Sequence, residues 1–250
     1  MPQLHPVLFV GAGPGAAEHL TLGAARALSM AEVVIHDRLV GEEVLELAPP
    51  QAHLVDVGKE GFGPSTAQSD IHAILVRAAL SGARVVRLKG GDTGVFARLD
   101  EEIAALEEAG LAFRILPGLT TASVAAAAIG QSLTRRGRNT GLRILTGHVM
   151  EGFAEQDWRG LARAGEVAAI YMGKKSARYL QGRLMMHGAA AETPVTVVEN
   201  VSRADQRIIA ASLANLPAAV AETAGPAILL YGLAPRKAAT ALSQLKEARA

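Results

Sequence analysis

Residues 6–15 read PVLFVGAGPG, an apolar run that leads into a segment with three glycines. A short apolar run bounded by glycine predicts a buried parallel strand followed by a tight turn. Glycines at such a turn let the backbone approach a ligand closely and leave amide groups available to anionic groups. Gly11, Gly13 and Ala16 also match the dinucleotide-binding pattern. Asp37 then stands about where that pattern has a ribose-binding acid. A nicotinamide or flavin enzyme and a plain strand-to-helix turn are therefore alternatives at this point.

Two further strands end in glycine. Residues 85–92 read VVRLKGGD, and residues 113–118 read FRILPG. Strands that alternate with helical segments in this half predict a parallel sheet covered by helices. Ligands of such sheets bind beyond the carboxyl ends of the strands, so three glycine-rich loops at that edge favour one shared cleft over three independent turns.

The second half of the chain has strand patterns of its own, at residues 142–146, 166–171, 194–199 and 227–231. The polar, basic segment TRRGRNTG at 134–141 is typical of a connection between domains. We therefore expect an N-terminal α/β domain over 1–134 and a C-terminal α/β domain over 141–250.

Composition excludes several function classes. The formal net charge is +1, which predicts no global attraction to nucleic acid or to a membrane surface. There is no cysteine, so disulfides and thiolate chemistry are excluded, and the histidines show no paired metal-ligand spacing. The first residues lack a basic leader before a long apolar stretch, so no signal peptide is predicted. We expect a cytoplasmic protein without a metal ion.

A set of short motifs carries a family resemblance. In chain order they are GAGPG (11–15), DRLV (37–40), GK (58–59), VVRLKGGD (85–92), PG (117–118), TA (121–122), TGH (146–148), YMG (171–173) and VEN (198–200). Together they resemble the tetrapyrrole methylases, and among these the uroporphyrinogen III C-methyltransferases, over about residues 6–234. VVRLKGGD with DRLV upstream is the most specific part. After it the chain reads TGVFARLDEE (93–102), where the family usually has PFIFGRGGEE.

The resemblance implies two α/β/α domains, with S-adenosylmethionine bound in the cleft between them, and a homodimer. S-adenosylhomocysteine would be the product. By position, the implied cofactor contacts are Pro14, Gly90, Gly91, Asp92, Val95, Thr121, Ala122, Met172 and Val201. The family usually has glycine where this chain has Val201. Asp37 and Lys59 match positions that handle protons.

The resemblance also implies the reaction, which is C-methylation of uroporphyrinogen III at C2 and C7 to give precorrin-2. Methyl transfer to carbon depends mainly on alignment of donor and acceptor. Attack by a pyrrole carbon builds positive charge, which the Asp37 carboxylate can stabilise. The alternative is that Asp37 caps a loop or holds a ribose.

The acceptor is a polyanion, and arginine pairs best with carboxylates. The candidate arginines are Arg38, Arg98, Arg135, Arg136 and Arg138, with solvated surface side chains as the alternative.

Three other functions stay open on the sequence. One is a later precorrin methyltransferase of cobalamin synthesis, which would share the cofactor and differ in the acceptor. Another is a nicotinamide-dependent oxidoreductase. The third is a sensor that binds the cofactor without turnover.

Overall fold

The computed structural model describes residues 4–58, 67–149 and 152–237. The chain divides into two compact units, Met1–Thr121 and Ala122–Ala250. The division lies upstream of the 134–141 segment, because Ala122, Val124 and Ala125 pack into the hydrophobic core of the second unit. The polar segment is therefore part of the second unit.

The first unit contains a five-stranded sheet in the order β3-β2-β4-β1-β5, and every neighbouring pair is parallel. Its strands are β1 (Val7–Gly11), β2 (Val33–His36), β3 (His53–Asp56), β4 (Val85–Lys89) and β5 (Phe113–Leu116). Its helices are α1 (Leu22–Ser29), α2 (Glu42–Leu45), α3 (Gln68–Leu80) and α4 (Leu99–Glu108). Helix α5 (Thr121–Ala128) begins at the division between the units.

Both faces of this sheet are covered. Val10, Val86 and Leu88 pack against helix α1 through residues such as Leu28. Alternate residues of the same strands, including Phe9 and Val85, point to the other face and pack with Leu75 of α3 and Leu106 of α4. Burial on both faces explains why strand β1 reads as a continuous apolar run.

The second unit contains a five-stranded sheet in the order β11-β10-β12-β9-β6 and a two-stranded antiparallel sheet, β7-β8. Its strands are β6 (Arg143–Thr146), β7 (His148–Val149), β8 (Gly152–Phe153), β9 (Ala168–Tyr171), β10 (Pro194–Glu199), β11 (Arg207–Ser212) and β12 (Ala227–Tyr231). Its helices are α6 (Trp158–Leu161), α7 (Ala177–Met186) and α8 (Leu216–Ala221).

This second sheet is mixed. Strands β6 and β9 are parallel, whereas β10 pairs antiparallel with β11 and β12. The connection over 200–206 is too short for the crossover that a parallel pair requires, so β11 returns beside β10. The sequence patterns missed β11, which is a half-exposed edge strand.

The predicted fold class is confirmed. In the second unit α6, α7 and α8 cover one face of the sheet, and α5 packs on the other. Each unit is thus an α/β/α sandwich. In the described part of the chain, no helix combines the length and the apolar composition needed to cross a bilayer.

Candidate active site

Three glycine-rich loops of the first unit touch one another at the carboxyl edge of its sheet. Gly13 and Gly91 exchange two backbone hydrogen bonds, of 3.1 and 2.7 Å. A Cβ atom on Gly118 would lie 2.4 Å from the carbonyl oxygen of Gly91 and 2.8 Å from the carbonyl carbon of Gly11. No side chain fits at that distance, so glycine is required for the loops to meet.

Asp92 ties two of these loops together. Its Oδ1 accepts a hydrogen bond from the amide of Gly94 at 2.9 Å, and its Oδ2 accepts one from the amide of Gly118 at 2.9 Å. The Val95 amide donates to the Asp92 carbonyl at 3.2 Å. In this structure the carboxylate shapes the edge of the sheet, because both of its oxygens are bonded to backbone amides.

The other predicted cofactor contacts of the first unit lie beside these loops. Pro14 directly follows Gly13 and is half-buried. A Cβ on Gly90 would lie 3.1 Å from Cβ of Leu39, and one on Gly91 would lie 3.5 Å from Oγ1 of Thr121. The structure therefore brings Gly90, Gly91, Asp92 and Thr121 close to one another.

Asp37 follows β2 at the same edge, and Arg87 of β4 holds its carboxylate. Nη2 of Arg87 donates to Oδ1 of Asp37 at 2.6 Å. Arg87 is 1% exposed, whereas the side chain of Asp37 is 32% exposed. A fixed, half-exposed carboxylate thus stands at the edge where the glycine-rich loops meet.

Glu102 of α4 forms the other end of this buried network. Its carboxylate accepts from Nε and Nη2 of Arg87 at 2.8 and 3.0 Å, and from Nζ of Lys89 at 2.6 Å. Arg87, Lys89 and Glu102 are all fully buried. Two cations and two carboxylates therefore balance within the network, as buried charges require.

The pKa values of the network follow from burial and pairing. Burial disfavours the charged form of Arg87, but the charges of Asp37 and Glu102 outweigh it and raise the pKa. Burial likewise opposes ionisation of Glu102, but its hydrogen bond and charge interaction with Arg87 lower the pKa overall. Burial and the neighbouring charge of Arg87 lower the pKa of Lys89. Glu102 is thus held as the carboxylate.

Sequence reasoning missed Arg87, Lys89 and Glu102. The sequence did contain one clue to this network, since β4 has two cationic residues at alternate positions of an otherwise apolar strand. Cations in a buried strand need partners. Nothing in the local sequence of α4 identifies Glu102 as the partner. Lys59, the second predicted catalytic residue, lies outside the described residues.

The predicted substrate arginines differ in what they contact. Arg38 is exposed next to Asp37. Arg98 forms a two-point pair with Glu101, with N–O distances of 2.8 and 2.7 Å, and the hydrogen bond with Glu101 raises the pKa of Arg98.

In the second unit, the guanidinium of Arg138 bonds to Oδ1 of Asn139 at 2.9 Å and to the Ser132 carbonyl at 2.7 Å. It thereby shapes the 134–141 loop. Arg135 and Arg136 are exposed on that loop. These two are therefore better placed than Arg138 to meet an anion from solvent.

Two predicted cofactor contacts of the second unit lie around the end of β9. Met172 is 51% exposed and has a left-handed backbone, φ 53°, which is unusual for a side chain of its size. The amide of Ala122 donates to the hydroxyl of Tyr171 at 3.0 Å. That hydroxyl satisfies an amide in the first turn of α5, which has no partner within the helix.

Val201 packs its side chain into the core of the second unit and is 4% exposed. Its neighbours Asn200 and Ser202 are left-handed, with φ of 50° and 62°, but Val201 itself is not. Valine therefore fits this position, for which the resemblance implies glycine. A contact with the cofactor from this residue would have to come from its backbone.

The family model for Tetrapyrrole (Corrin/Porphyrin) Methylases matches residues 6–217. Siroheme synthase 2 of Aeromonas hydrophila subsp. hydrophila is 39% identical over 230 residues, which are 92% of this chain and 49% of that protein. The chain spans about half the length of the curated relatives it matches.

Among solved structures, the uroporphyrin-III C-methyl transferase of Thermus thermophilus complexed with S-adenyl homocysteine is 36% identical, with a TM-score of 0.77. The alignment covers 91% of this chain and 92% of that one. A cobalt precorrin-4 methyltransferase has a TM-score of 0.81 over 91% and 94% of the two chains, but it is 22% identical and thus supports the fold alone. The match over most of the chain, together with the glycine-rich edge and its fixed carboxylate, establishes that this chain belongs to the tetrapyrrole methylases.

Proposed function

We propose that this chain transfers methyl groups from S-adenosylmethionine to C2 and C7 of uroporphyrinogen III, giving precorrin-2 and S-adenosylhomocysteine. The observation that carries the proposal is the position of Asp37. Its carboxylate is fixed by Arg87 at the sheet edge where the three glycine-rich loops meet. The solved relative from Thermus thermophilus, with S-adenyl homocysteine, supports the same donor.

The residues present fit such a donor. Contact between Gly11, Gly91 and Gly118 leaves no room for side chains there, so this part of the edge is formed by backbone. Backbone without side chains can approach a ligand closely and offer it polar groups. When bound, S-adenosylmethionine supplies a methyl group on a sulfonium, which needs alignment more than activation.

The protein's own contribution to the chemistry is the carboxylate of Asp37. A pyrrole carbon that accepts a methyl group gains positive charge on its ring until a proton is lost. A carboxylate held beside the ring stabilises that charge and is placed to accept the proton. Asp37 suits this role because a buried guanidinium fixes it while part of its side chain stays open to solvent.

Each unit carries exposed groups that suit parts of a tetrapyrrole polyanion. Leu39, Phe96 and Leu119 follow β2, β4 and β5 at this edge, and all three are exposed. Exposed apolar side chains suit the apolar faces of the pyrrole rings in the macrocycle. Arg38 is a candidate partner for its carboxylates at the same edge, and Arg135 and Arg136 are candidates in the second unit.

A later precorrin methyltransferase is the second candidate. The fold permits it, since the cobalt precorrin-4 enzyme is as similar in shape. The higher identity to the Thermus thermophilus enzyme favours uroporphyrinogen III. The nicotinamide-dependent oxidoreductase receives no support from the family match.

The test is anaerobic incubation of the protein with uroporphyrinogen III and isotope-labelled S-adenosylmethionine, followed by mass spectrometry. We expect two methyl groups per tetrapyrrole. No transfer would contradict the proposal, and transfer to a later precorrin alone would favour the second candidate. A thermal shift with S-adenosylhomocysteine, and none with NAD, is the matching binding test. The homodimer stays a prediction that light scattering can check.

A further inference from the structure

We propose that Glu102 is a positioning residue for methyl transfer, which holds the Arg87 guanidinium in one orientation and, through it, the carboxylate of Asp37. The inference rests on the proposed function, because the role of Asp37 in the reaction is assigned there. Glu102 itself is fully buried in α4, away from solvent.

The hydrogen bonds of Arg87 leave its guanidinium no freedom to turn. A guanidinium carries five N–H donors in one plane. Nε and one hydrogen of Nη2 bind the two oxygens of Glu102. Nη1 donates to the carbonyls of Ile35 and Leu88, at 3.4 and 3.3 Å. The remaining hydrogen of Nη2 points to Asp37.

Glu102 is the partner that fixes the plane. A two-point bond between a carboxylate and a guanidinium sets orientation as well as distance. The carbonyl bonds to Nη1 are the longest in the set, so they restrain the plane less than Glu102 does. Without the two-point bond, the guanidinium would be free to tilt, and Asp37 would move with it.

A purely electrostatic role for Glu102 predicts a different activity for a double variant than a positioning role does. Glu102 also accepts from Lys89, so its single negative charge is shared between two buried cations. If charge balance were its whole contribution, removal of one cation together with the carboxylate would restore activity. If Glu102 positions Asp37, that double change would leave the activity low.

The experiment compares Glu102→Gln with the wild type in the full chain. We measure kcat and KM for uroporphyrinogen III, and the Kd for S-adenosylhomocysteine by calorimetry. The expected result is a kcat lowered roughly 100-fold, as for a displaced reacting group, with KM and Kd within about threefold of the wild type. Glu107→Gln, the same exchange at an exposed position of α4, is the matched control and should leave kcat unchanged.

Two further variants separate the explanations. Lys89→Met combined with Glu102→Gln should keep the low kcat, and recovery of activity in it would overturn the proposal. Glu102→Asp keeps the charge but shortens the side chain by one methylene. If Glu102→Gln fails to fold, a lowered kcat with unchanged KM in Glu102→Asp supports positioning, and a wild-type kcat overturns it. Absence of transfer in the wild type would instead refute the proposed function, and this inference with it.

Discussion

Arg87 and Asp37 are joined by a 2.6 Å hydrogen bond between Nη2 and Oδ1, although fifty residues separate them in the chain. The bond forms because β2 and β4 are neighbours in the sheet, so that the residue after β2 stands beside the side chain of Arg87. Arg87 is buried and Asp37 is partly open to solvent. The pair therefore links the charge balance of the core to the proposed reaction site.

Asp37→Asn should lower kcat about 100-fold, because it removes the charge that stabilises the developing cation. Asparagine keeps an oxygen that can accept from Arg87, so the packing should change little. The Kd for S-adenosylhomocysteine should stay within about threefold of the wild type, since the glycine-rich loops are untouched. Full methylation activity in this variant would remove Asp37 from the mechanism.

Asp92→Ala should weaken binding of S-adenosylhomocysteine about tenfold and lower the free energy of unfolding by about 1–3 kcal/mol, because two backbone amides lose their acceptor. Asp92→Asn retains one acceptor oxygen and should show a smaller effect on both quantities. Calorimetry and urea unfolding measure the two changes. Unaltered affinity in the alanine variant would show that the loop keeps its shape without Asp92.

Gly118→Ala should push the three loops apart, because the new Cβ would lie 2.4 Å from the Gly91 carbonyl oxygen. We expect the free energy of unfolding to fall by about 1–3 kcal/mol, as for other overpacked sites. Affinity for S-adenosylhomocysteine should fall in the same variant. Gly23→Ala is the control, since its nearest neighbour would be 3.8 Å away and alanine favours the helix. Equal stability of the two variants would contradict the packing argument.

The folded protein should lose stability in acid through Glu102. The pKa of Glu102 is lowered in the folded state from an ordinary value of 4.5. At pH values between the folded and the unfolded pKa, the unfolded chain therefore binds more protons than the folded protein. The free energy of unfolding therefore rises with pH across that window and falls as the pH drops through it. Glu102→Gln should flatten this dependence in urea unfolding from about pH 3 to pH 7.

The same variant should be less stable at neutral pH by about 3–5 kcal/mol, because two buried cations lose a partner. If the free energy of unfolding of Glu102→Gln fell in acid as steeply as that of the wild type, carboxylates other than Glu102 would be the cause of the acid sensitivity.

Much of the first unit was predictable because its elements have local signatures. Strands β1, β4 and β5 are short, mainly apolar segments that lead into glycine, and parallel pairing places their carboxyl ends at one edge. The second unit was predictable as an α/β layer, but not as a mixed sheet. Strand β11 carries no strong alternation, and its position depends on the short return after β10.

The predicted site was incomplete for a different reason. Asp92 was recognisable as part of a motif, but its two bonds to Gly94 and Gly118 depend on how the β4 and β5 loops meet. The side chain of Val201 points into the core, which no pattern of neighbouring residues reveals. Such contacts join elements that are distant in the chain.

The amino-acid sequence by itself determined the α/β class and the glycine-rich turns, because apolar periodicity and turn chemistry act between residues that are close along the chain. The family followed from the resemblance of its short motifs, taken in chain order. The tertiary structure alone decided that Arg87 bonds to Glu102 and Asp37, and thereby where the carboxylate stands. A buried cation requires a partner, but which carboxylate reaches it depends on how strands and helices pack.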